Sequence, residues 1–100
     1  MFHPLLLLVL LAKLNISILS NQGKLDFLVR VPAGTIGIAV GVGCGDYESS
    51  TIRELDGKEE PVHFLFRNIP GPSECEIAVR IADREGKLQN LRRTVYVISS

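Results

Sequence analysis

The sequence predicts an all-β protein, an antiparallel sandwich of about six or seven strands. Three observations carry this prediction. From Leu25 onward, apolar residues alternate with polar or small ones instead of recurring at helical spacing. Turn signals rich in Gly, Pro, Asn and Asp interrupt the alternation at short intervals. No amphipathic stretch of useful helical length is present, so the crossover connections that parallel strands require are missing. An open barrel fits the same pattern and remains an alternative at this level.

The elements follow in order. Leu25, Phe27, Val29 and Val31 occupy one face of a half-buried strand, with Asp26 and Arg30 on the other, until Pro32-Ala33-Gly34 stops it. In the next strand Ile36, Ile38, Val40, Val42 and Cys44 alternate with Gly37, Ala39, Gly41, Gly43 and Gly45. One face is branched and apolar, and the other is nearly bare. Residues 46–50 read as a polar connection, and residues 51–55 as a short edge strand or a single helical turn before the Asp56-Gly57 turn. Val62, Phe64 and Phe66 alternate with His63, Leu65 and Arg67, and Ile69-Pro70-Gly71-Pro72 breaks the chain. Cys75, Ile77, Val79 and Ile81 then oppose Glu76, Ala78, Arg80 and Ala82, Asp83-Arg84-Glu85-Gly86 makes a turn, and residues 94–98 form a last β-branched and aromatic strand. No internal repeat, low-complexity tract or linker divides residues 25–100.

Residues 5–12 read LLLLVLLA, a run shorter than the roughly 20 apolar residues a spanning helix needs. No stable membrane span is expected. The run reads as the core of a signal peptide over residues 1–20, with small Ser20 ahead of Asn21-Gln22-Gly23 as the processing site and residues 21–100 as the mature domain. Met1-Phe2-His3-Pro4 lacks the usual basic residue, and Lys13 interrupts the apolar stretch. A competing reading makes this segment part of the fold: Leu14, Ile16 and Ile18 alternate with Asn15 and Ser17, and Asn21-Gln22-Gly23-Lys24 becomes a turn. Asn15-Ile16-Ser17 matches the N-glycosylation acceptor pattern, but cleavage after Ser20 would remove it.

Composition bounds the function. Eleven basic and eleven acidic residues in a chain of 100 give no net charge, so there is no overall attraction to nucleic acid or anionic lipid. With 22% charged and 46% hydrophobic residues, the chain belongs with folded domains. Loss of residues 1–20 would remove Lys13 and leave ten bases against eleven acids, a charge of −1. A domain of that size buries only ~60–65% of its unfolded surface, so its core is marginal and a covalent constraint would help.

The stretch from Ile69-Pro70-Gly71-Pro72 through Ser73-Glu74-Cys75-Glu76-Ile77-Ala78-Val79 resembles the corner between strands E and F of fibronectin type III and related immunoglobulin-like domains. Ala82-Asp83-Arg84-Glu85-Gly86-Lys87 with Arg93-Thr94-Val95-Tyr96-Val97 is similar to their F to G hairpin. The likeness spans about residues 69–98 and departs twice: Cys75 stands in place of the corner tyrosine, and the chain has no tryptophan. It implies an immunoglobulin-like sandwich acting as a spacer, adhesion or binding module outside the cell.

Cys44 and Cys75 both fall on apolar faces, and an oxidising compartment would join them; the alternative is two buried thiols acting as small hydrophobes. Residues 38–46 resemble the strand-loop signature of S-adenosylmethionine-dependent methyltransferases, although Gly41 and Tyr47 depart from it and no crossover helix follows. The alternative makes Gly37, Ala39, Gly41 and Gly43 a contact face, since a strand face without side chains permits close approach by another surface. It could equally be an ordinary solvent face. His63 has no second ligand at metal spacing, and Asp46 with Glu48, Glu59 with Glu60, and Asp83 with Glu85 read as solvated turns. Lys87, Arg92 and Arg93 are too few to make a phosphate site, and neither Ser73 nor Cys75 has a nearby histidine for nucleophilic catalysis. The expectation is therefore a non-catalytic secreted or surface module without cofactor, metal or nucleic acid, with a protein or glycan partner. The alternatives are an accessory domain or fragment of a larger extracellular, for example carbohydrate-active, enzyme and an S-adenosylmethionine-binding fragment.

Overall fold

A computed structural model describes residues 14–98, which form β1 (Asn15–Asn21), β2 (Lys24–Val31), β3 (Thr35–Cys44), β4 (Tyr47–Glu54), β5 (Glu60–Phe66), β6 (Ser73–Asp83) and β7 (Leu88–Val97). All neighbouring strands pair antiparallel, in a three-stranded sheet of order β1-β2-β5 and a four-stranded sheet of order β4-β3-β6-β7. The protein is an all-β sandwich compatible with an immunoglobulin-like fold. Hairpins β1-β2, β3-β4 and β6-β7 stay within one sheet, while β2-β3, β4-β5 and β5-β6 cross between sheets. The fourth strand lies beside β3 instead of beside the fifth, as it would in a constant-type immunoglobulin domain.

The core comes from the alternation. Leu25, Phe27, Val29 and Val31 of β2 and Val62, Phe64 and Phe66 of β5 face Ile38, Val40 and Val42 of β3 and Ile77, Val79 and Ile81 of β6, and all are buried. Phe27 stacks on Phe64 and Phe66 at ring-centroid separations of 5.6 and 5.8 Å. Such pairs add about 0.5–1.5 kcal/mol beyond their buried area. Ile16 and Ile18 of β1 pack against this cluster half-buried, so residues 15–21 form a strand of the fold, and the Ser20 processing position falls within it. The apolar run 5–12 lies outside the described residues.

Three expectations are corrected. Ile36 does not head the apolar face of β3: it is exposed at 36%, and Thr35 is buried at 2% with its hydroxyl donating to the Pro32 carbonyl at 2.7 Å. A register shift against β6 between Thr35 and Gly37 inserts one residue and inverts the phase. Second, most of residues 46–50 belong to β4, which follows the tight Gly45-Asp46 turn where Gly45 takes φ 62°. This strand carries no apolar alternation because it is an edge held by its ladder to β3. Third, β7 begins at Leu88 instead of Thr94; its early residues, Leu88 and Leu91 apart, are polar but continue the ladder to β6.

Cys44 and Cys75 are joined by a disulfide, with a Cα separation of 4.3 Å and both residues buried. They lie on neighbouring strands one step beyond the Gly43–Glu76 pair. The bond therefore staples one sheet, unlike the inter-sheet disulfide of antibody domains. The open sides of the sandwich are closed by side chains. Arg53 of β4 covers the Phe64 ring at 4.4 Å, Tyr47 donates its hydroxyl to the Arg67 carbonyl at 3.2 Å, and Ser20 donates to the Tyr96 carbonyl at 3.0 Å. Tyr47 thus ties the start of the β5–β6 corner from a neighbouring sheet.

Candidate contact face on the four-stranded sheet

The register fixes which residues share the outer face of this sheet. Gly41 sits between Ser50 of β4 and Ala78 of β6, and Ala78 is followed by Arg92 of β7. One row to either side, Ile52, Ala39, Arg80 and Asn90 line up, as do Glu48, Gly43, Glu76 and Thr94. Ala39, Gly41 and Gly43 of β3 with Ala78 of β6 thus supply a low floor, while Glu76 and Arg80 of β6 and residues of β4 and β7 supply longer walls. The result is an open trough: one part, about 380 Å³, lies over Ala39, Gly41 and Ala78, and an overlapping part, about 530 Å³, lies over Gly43, Glu48 and Glu76.

The walls are partly fixed. Arg92 pairs with Glu76 at 3.1 Å, and the Arg80 Nε donates to Asn90 Oδ1 at 2.9 Å. These exposed contacts contribute little stability, typically ~0–1 kcal/mol, but they hold charged and amide groups beside the floor. Ile52 stands opposite, 79% exposed.

The glycines are not demanded by the fold. A Cβ added at Gly37 or Gly43 would meet nothing within 4 Å, and at Gly41 it would meet only the Ser49 carbonyl oxygen at 4.0 Å. None of these three takes a positive φ, whereas turn residues Gly23, Gly34, Gly45, Gly57 and Gly86 do. A Cβ would therefore fit at each of these strand positions, where glycine lowers strand stability.

The four sequence-predicted face residues, Gly37, Ala39, Gly41 and Gly43, come together here, all half-buried on one side of β3. Ala78, Ala82 and Ile52 complete the face. The alanines were visible as the polar-side positions of β6, but the strand order that sets them beside the glycines was not. The remaining candidates are dispersed. His63 bonds Asp26 on the opposite sheet, Asp83 accepts from the backbone of Glu85 and Lys87 in a turn, and Ser73 donates to the Pro70 carbonyl. Residues 38–44 continue as strand and turn directly into β4, so no helix N-terminus follows the glycine segment. No protein-family profile matches the chain, and no curated protein matches it in sequence.

Proposed function

We propose that the protein is a non-catalytic, secreted or surface-associated immunoglobulin-like module, related in pattern to fibronectin type III domains, that binds a protein or glycan partner through the trough on its four-stranded sheet. The observation that carries this reading is the glycine row. Gly41 and Gly43 occupy regular strand positions where an added Cβ would meet nothing closer than 4.0 Å, and strand propensity disfavours glycine there by up to ~1 kcal/mol each. Neither internal packing nor backbone conformation offsets that cost, whereas close approach by a partner does. The buried disulfide and the apolar leader-like run at residues 5–12 support an oxidising, extracellular setting.

The test separates binding from folding. Gly41→Val and Gly43→Val place β-branched side chains on the floor, so both variants should melt at or above the wild-type temperature. Multimerised, labelled wild-type protein should bind cell surfaces or a glycan array, and both variants should lose that binding. Retained binding by the valine variants, or no binding by the wild type on either support, would refute the proposal.

A further inference from the structure

We propose that Asn15 carries an N-linked glycan lying over the outer face of the three-stranded sheet, which leaves the trough on the opposite sheet as the face open to partners. This rests on the secretory reading above and places any removal of a leader upstream of Leu14. Asn15 and Ser17, the two determinants of the acceptor triplet, lie on the exposed side of edge strand β1, opposite Arg30 and Leu28 of β2. Asn15 Oδ1 accepts the Ile16 amide at 2.8 Å, so the carbonyl end of the carboxamide is engaged with the backbone.

A second observation says what the glycan would cover. The same outer face exposes Leu19 at 63%, Leu28 at 44% and Leu65 at 38%. The ladder brings them together, with Leu19 and Leu65 flanking Asp26, and Leu28 between Ser17 and His63. A shallow depression of about 380 Å³ lies among Leu19, Asp26, Leu28 and His63. Exposed apolar side chains clustered on diagonal positions beside an open strand edge favour association with other chains. A sugar chain rooted at Asn15 stands over both.

The reaction needs only the machinery of the secretory route. Asn15 Nδ2 attacks C1 of the first sugar of a lipid-pyrophosphate-linked oligosaccharide, forming the N–C1 bond as the C1–O bond breaks. Lipid pyrophosphate leaves, the amide proton passes to a base of the transferase, and nothing is oxidised or reduced.

The test expresses the full chain in a secretory eukaryotic cell line, beside a version carrying a borrowed cleavable leader ahead of Leu14. Intact and peptide masses are read before and after an amidase that removes N-glycans and converts the carrier asparagine to aspartate. The expected result is one glycan at Asn15, absent from Asn15→Gln and Ser17→Ala and kept in Ser17→Thr. The unglycosylated form should bind an apolar dye more strongly, and Leu28→Ser should reverse this. A secreted chain that is unglycosylated, or that begins after Asn15, overturns the inference while the secretory reading stands. If the full chain stays inside the cell and only the leader-bearing form is glycosylated, the secretory reading and the natural modification both fall. Absence of glycan from the leader-bearing form overturns the site itself, and equal dye binding overturns the shielding.

Discussion

Removing the cross-link between β3 and β6 tests how much of this small sandwich depends on covalent closure. The two cysteines are 31 positions apart. Loop-closure entropy for a ring of about that length amounts to roughly 3.5–4 kcal/mol at 25 °C, acting on the unfolded chain. A domain of this size has a total stability of only about 4–13 kcal/mol, so the bond carries a large fraction of it. The double variant Cys44→Ala/Cys75→Ala also loses two buried sulfur atoms, which adds a packing loss of about 1–2 kcal/mol. Urea unfolding of the oxidised wild type, of the wild type in reductant and of the double variant separates the two contributions. Reduction alone should lower stability by about 3–4 kcal/mol, and the double variant should fall further. A loss below about 1 kcal/mol on reduction would refute the argument that the staple constrains the unfolded chain.

Other perturbations probe individual contacts. Ile38→Ala should cost about 2–5 kcal/mol in urea melts, whereas Ile36→Ser should change stability by less than ~0.5 kcal/mol, because the bulge turns Ile36 to solvent. Equal losses would place Ile36 back on the core face. Arg53→Ala uncovers the face of the Phe64 ring and should cost about 0.5–2 kcal/mol, with Arg53→Lys intermediate. Tyr47→Phe removes one hydroxyl-to-carbonyl bond at the β5–β6 corner and should lower stability by about 0.5–1.5 kcal/mol; an unchanged midpoint would show that this bond does not hold the corner. A chain starting at Asn21 lacks β1 and uncovers the edge of β2. It should lose about 2–3 kcal/mol from Ile16 and Ile18 alone, visible as reduced β signal in circular dichroism or a lower melting temperature.

The side-chain alternation by itself determined that the molecule is built from sheets and which faces are buried in β2, β5, β6 and most of β3. That information is local: a strand's period of two assigns every second residue to one side whatever its neighbours are. It failed where pairing, not hydrophobicity, creates the strand. β4 and the first half of β7 are mostly polar edges without regular apolar alternation, held by backbone hydrogen bonds to a neighbour, and the bulge at residues 35–37 inverted the phase of Ile36. The glycine row was legible for the same local reason, but its walls were not. Asn90 and Arg92 lie on a strand far from it in sequence, Ile52 lies on a strand that the alternation does not reveal, and only the order β4-β3-β6-β7 sets them around it. The same order decided that Cys44 meets Cys75 within one sheet. Spacing along a chain carries no information about which strands become neighbours; the hydrogen-bond ladder and the packing of the two sheets supply it.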